Sequence, residues 1–104
     1  MIVLHVTLRF APEDIDQFVT RLPELATQTR AEDGCIEYLF GRDLLEPDLI
    51  QITECWESEA AIELHKTTDH FRNFMAAMPQ MLGFSRRAYT AEPVTEAKTS
   101  ALSA

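Results

Sequence analysis

The hydrophobic pattern of this chain switches between a period of two and a period of about 3.6 residues, and the order of those switches leaves few folds open to it. Residues 2–10 alternate, with Ile2, Leu4, Val6, Leu8 and Phe10 on one face and Val3, His5, Thr7 and Arg9 on the other, as a half-buried strand requires. Pro12, Glu13 and Asp14 then open a helix, because proline fits the first turn and carboxylates favour the positive end of the helix dipole. Ile15, Phe18, Val19, Leu22, Leu25 and Ala26 form its apolar stripe. Pro23 lies within that stripe, lacks an N–H and clashes with the carbonyl of Val19, so a kink or a split into two pieces is expected. Gly34 closes the helical stretch.

Residues 35–43 and 49–57 are rich in β-branched and aromatic side chains and are joined by the hairpin connection 44–48. Ser58 is placed to cap a second helix, and Thr68 to cap a further helical segment carrying Phe71, Phe74, Met75 and Met78. Pro79 stops it, and residues 83–91 read as the last strand. In 104 residues the order is strand, helix, strand, strand, helix, strand. This points to an α+β fold of the ferredoxin-like βαββαβ type, an antiparallel sheet with two helices on one face. Residues 1–91 suffice for that domain, and 92–104, with Pro93 and no aromatic residue, read as a flexible tail or dimer arm. The uncovered sheet face also carries apolar groups, among them Val3, Cys35, Leu39, Leu49 and Cys55. A soluble monomer rarely exposes such a face, so a homodimer with its sheets packed face to face is expected.

Composition removes several classes of function. The net charge of −8, with Arg86-Arg87 the one adjacent basic pair, argues against nucleic acid and anionic membrane as partners. No run approaches the ~20 apolar residues of a membrane span. The first residues lack a basic n-region, so the reading is a cytoplasmic protein. Cys35 and Cys55 fit neither a disulfide framework nor a CxxC site. Gly34, Gly41 and Gly83 are too scattered for a nucleotide loop. His65 and His70, five residues apart, would stand about 140° apart on one continuous helix, so no metal site is expected.

What remains is a constellation of Trp56 at a strand end, Ser58, His65 on the following helix, and His70, Phe71 and Phe74 beyond it. A neutral imidazole facing an aromatic, water-poor space can accept a proton from an acidic phenol or enol. His65 can equally be a packed histidine bonded to a carbonyl, and Trp56 simply core.

At these residues the chain resembles a known family. Gly34-Cys35-Ile36-Glu37-Tyr38, then Thr53-Glu54-Cys55-Trp56-Glu57-Ser58-Glu59-Ala60-Ala61, then His65 and His70-Phe71 follow the order and spacing of the antibiotic biosynthesis monooxygenase (ABM) superfamily, over most of residues 2–90. The resemblance implies a dimeric α+β barrel. It also implies a quinol monooxygenase-like, cofactor-independent enzyme that oxidises an electron-rich phenol, quinol or polycyclic aromatic with O2. On that analogy His65 and Trp56 are catalytic, and Tyr38, Phe71, Phe74, His70 and His5 hold the substrate. Ile52 stands where the polyphenol oxygenases of the superfamily carry an asparagine, and Met75 where its haem-degrading branch has the iron-ligating histidine. No cofactor is therefore expected. The alternative from another class is a non-catalytic dimeric small-molecule-binding or stress-associated protein of the same fold, with haem degradation and small-carbonyl isomerisation behind it.

Overall fold

The computed structural model describes residues 1–92. The elements are β1 (Ile2–Phe10), α1 (Pro12–Val19), α2 (Leu22–Arg30), β2 (Cys35–Arg42), β3 (Leu49–Trp56), α3 (Glu59–Lys66), α4 (Asp69–Ala77) and β4 (Met81–Thr90). The strands form one antiparallel sheet in the order β2-β3-β1-β4, the ferredoxin-like arrangement. Each expected helix is two. Pro23 occupies the start of α2, where its missing N–H has no intrahelical partner to lose, and the chain breaks at Thr20-Arg21 instead of kinking through the proline. Ser58 and Thr68 cap α3 and α4, with Ala61 N–H donating to Ser58 Oγ at 3.2 Å and Phe71 N–H to Thr68 Oγ1 at 3.3 Å.

Leu4, Val6, Leu8 and Phe10 of β1 and Ile50, Ile52 and Trp56 of β3 point beneath the helices, where Phe10 stacks on Phe18 at 4.5 Å and Phe18 on Phe74 at 5.3 Å. Two details depart from the periodicity. The β2–β3 register slips between Cys35 and Glu37, so Cys35 rather than Ile36 opposes Trp56 and Ile36 is left exposed. The last strand begins at Met81, two residues before the expected start, and the helices leave it uncovered, with Phe84 59% exposed although it pairs with the buried Leu8. The expected tail over 92–104 lies, beyond Glu92, outside the described residues.

Gly34 joins the first layer of helices to the sheet. Its φ of 85° is the left-handed conformation, and a methyl group on it would meet Ala61 Cβ at 2.6 Å. Gly34→Ala is expected to lower stability by about 2–4 kcal/mol, from left-handed strain and overpacking against α3. Denaturant titration checks this, and a loss under about 1 kcal/mol would mean that α3 simply yields.

Candidate active site

The site grows from the junction of β3 and α3. Ser58, two residues after Trp56, caps α3, and one face of the helix then turns Ala61, Ile62 and His65 inward. His65 is 3% exposed. Its ring lies 4.8 Å from that of Trp56, 4.9 Å from Phe71 and 5.8 Å from Tyr38, so it is enclosed by aromatic groups. Nδ1 of His65 is 2.6 Å from Oε2 of Glu32, a residue of the turn that leads into Gly34. A carboxylate can only accept, so the neutral imidazole carries its proton on Nδ1 and its lone pair on Nε2. Nε2 has no protein hydrogen bond among the described residues.

Beside the ring is a mainly apolar cavity of about 190 Å3. Leu4, Val6 and Leu8 form its floor, and Tyr38, Phe71 and Phe74 its aromatic walls. Glu54, His65, and the exposed Lys66 and Arg86 are its polar and charged lining. Glu54 shares the inner face of β3 and accepts a hydrogen bond from Trp56 Nε1 at 2.9 Å. Burial raises its pKa above the ordinary carboxylate value, against the opposing pull of the Trp56 bond and of His65. Burial likewise keeps the Tyr38 phenol protonated and pushes the Cys35 thiol up to about 11, which leaves Cys35 a poor nucleophile at neutral pH.

The raised Glu54 value has a direction in stability. The folded chain holds this proton more tightly than the unfolded chain, so the contribution is complete below the ordinary value of 4.5 and is lost as pH rises through the folded value. Glu54→Gln is therefore expected to flatten the fall in stability between pH 4.5 and neutrality. Denaturation midpoints across that range measure it, and parallel profiles for the two proteins would contradict it.

A family model described as antibiotic biosynthesis monooxygenase matches residues 1–77. The chain belongs to the ABM family. YcnE of Bacillus subtilis is 32% identical over 82 residues, covering 79% of this chain and 86% of YcnE. Protein sll1783 of Synechocystis is 28% identical over 78% of this chain, which spans only 55% of that longer relative. Among solved structures, a Deinococcus radiodurans protein assigned to the same family superposes with a TM-score of 0.82 at 28% identity, over 92% of this chain and 97% of that one. Pseudomonas aeruginosa PA3566 superposes at 0.78 with 26% identity, over 88% and 94%.

Within this ABM chain the expected site residues separate. His65, Tyr38, Phe71 and Phe74 line the cavity together. Trp56 does not: it is fully buried behind His65 and touches the cavity lining through the rings of His65 and Tyr38 and its bond to Glu54. His5 is on the opposite sheet face, exposed and edge-on to Tyr89 at 5.9 Å, so it cannot hold a ligand in this cavity. His70 lines the separate cleft between α2 and α4, and its Nε2 lies 2.8 Å from Glu32 Oε2. The expected angular separation of His65 and His70 fails because the helix is not continuous. The chain breaks at Thr67-Thr68, and both rings reach the same carboxylate oxygen. Glu32 carries no sequence signal beyond helix termination, and Glu54 is signalled by its place in the Glu54-Cys55-Trp56 run of the resemblance and its shared parity with Ile52 and Trp56.

Proposed function

We propose that this ABM protein is a cofactor-independent monooxygenase that oxidises an electron-rich phenol or quinol with O2. The carrying observation is His65, held by Glu32 at Nδ1 with Nε2 unpartnered among the described residues, in a ring that lines an apolar cavity. Family membership supports the reading, as does YcnE, which is named as a candidate monooxygenase. Nε2 accepts the hydroxyl proton, and the resulting phenolate passes an electron to O2. Superoxide and the substrate radical combine at a ring carbon that bears a hydrogen, and the proton held at Nε2 returns to the peroxide oxygen to give a hydroperoxide. That carbon then gives up its hydrogen with loss of water and becomes a carbonyl, with one oxygen atom of O2 in the product and the other in the water. Tyr38, Phe71 and Phe74 hold the ring and exclude solvent while the radical pair exists.

Volume narrows the substrate. A cavity of about 150 Å3 accommodates benzene, and the 190 Å3 here supports single-ring quinols over polycyclic compounds. The test is oxygen consumption by metal-stripped protein with hydroquinones, naphthols and anthrones. Uptake that is fastest with the single-ring quinols and lost in His65→Ala is the expected result. Ligand-dependent melting shifts without uptake from any substrate would favour the non-catalytic binding protein.

The same reading includes a cytoplasmic homodimer in which residues 1–91 form the domain and 92–104 an arm or tail. Exposed Leu39 and Tyr89, on the sheet face away from the helices, support the pairing. Light scattering on a sizing column checks it, and a monomer at micromolar concentration would contradict it. No described helix is long and apolar enough to cross a membrane.

A further inference from the structure

The geometry points to a binding site for a divalent first-row transition cation at Glu32, His65 and His70. The three donors come from three separate elements, the α2–β2 turn, α3 and α4, and their ligand atoms all lie within 4.8 Å of one another. Both ring nitrogens converge on a single carboxylate oxygen, at 2.6 and 2.8 Å. The cluster is enclosed, with side-chain exposures of 13% for Glu32, 4% for His65 and 17% for His70, unlike the solvated acidic groups that gather on many surfaces.

Two imidazoles and one carboxylate are the donor set that borderline divalent cations such as Zn2+, Fe2+ and Co2+ accept with coordination positions left open. In a tetrahedral site with bonds of about 2.0–2.1 Å the donors stand about 3.3 Å apart. The N–O separations of 2.6 and 2.8 Å would have to widen by about 0.7 and 0.5 Å, and the widest ligand-atom separation, up to 4.8 Å, to shorten. Glu32 sits on a turn, not inside a helix, and its Oε1 makes no hydrogen bond among the described residues, so it is the ligand free to adjust. The route in is the cleft of about 360 Å3 between α2 and α4, which opens onto His70 and carries Glu24 and Asp69 beside Arg21.

Occupation changes the chemistry of His65. A cation at Nδ1 takes the lone pair there and moves the proton of the neutral ring to Nε2, which becomes a donor. Cation binding and proton acceptance at Nε2 thus exclude one another. That last consequence rests on the proposed oxygenase reading; the binding site itself does not.

The test is binding of Co2+ and Zn2+ to the full metal-stripped chain without substrate. One cation per chain is expected, with Co2+ giving visible ligand-field bands. Zn2+ should shift the ring 15N resonances of His65 Nδ1 and His70 Nε2 and leave His5 unchanged. Glu32→Gln and His70→Gln should each weaken binding by at least the ~10–100-fold that loss of a ligand's supporting partner costs, while Glu24→Gln keeps the stoichiometry. Absence of the bands and of the 15N shifts in the folded wild-type chain would overturn the site. So would affinity unchanged in folded Glu32→Gln and His70→Gln. Failure of oxygen uptake with intact cation binding would overturn the oxygenase reading alone.

Discussion

Replacing His65 with alanine is expected to lower the turnover number for quinol-dependent oxygen consumption by about 10²–10⁴-fold, the usual contribution of a positioned general base. The ring is the group in the cavity whose free nitrogen lone pair is set by a neighbour, since Glu32 occupies Nδ1 and leaves Nε2 for the substrate hydroxyl. Glu32→Gln keeps the shape of that neighbour but can present an amide N–H to the ring, which favours the wrong tautomer. On the proposed mechanism Glu32 is a positioning residue, so its loss should lower kcat while KM for the quinol stays nearly constant. Lys66→Ala, on an exposed part of the cavity wall, should instead act mainly through KM. Steady-state rates from an oxygen electrode separate these cases. Equal kcat values for wild type, His65→Ala and Glu32→Gln would remove His65 from the chemistry.

The second large effect is on stability. Trp56→Ala is expected to cost about 3–5 kcal/mol, because a fully buried indole leaves a void among Tyr38, His65 and the sheet. In a domain of this size each kcal/mol corresponds to about 4–8 °C in Tm. Trp56→Phe refills much of the space but deprives the buried Glu54 of its Nε1 donor. An orphaned buried acceptor costs about 1–3 kcal/mol, and removing that acceptor as well should return part of the loss. The double-mutant cycle of Trp56→Phe with Glu54→Leu therefore predicts strong non-additivity. Additive melting shifts would mean that the Trp56–Glu54 bond contributes nothing.

Local sequence carried most of the architecture. Alternation in residues 2–10 marks β1, Pro23 lies in the first turn of α2 just after the break at Thr20-Arg21, and Ser58 and Thr68 cap α3 and α4. The ABM resemblance and the ferredoxin-like fold are both borne out. The bulge at Ile36 was not legible, because a register slip depends on what the partner strand opposes, not on the pattern of one strand. The site was legible only in part. His65 and the aromatic walls follow from helix and strand faces, whereas Glu32 meets two histidines only because Gly34 bends left-handed and the helix pauses at Thr67-Thr68. His5 is a different lesson: the alternation of β1 already separates it from Leu4 and Val6, and parity outranks the attraction of placing every histidine in one cavity.

The pairing of β1 with β4 sets the order in which the cavity can be assembled. Its floor comes from the first strand, while Phe84 and Arg86 come from the last, so a ribosome must release nearly the whole domain before floor and wall can meet. Trp56, His65 and Glu32 are all upstream of that point and can associate earlier. Glu32, Trp56 and His65 therefore precede β4 along the chain, and the pairing of β4 with β1 is the long-range step that completes the cavity wall.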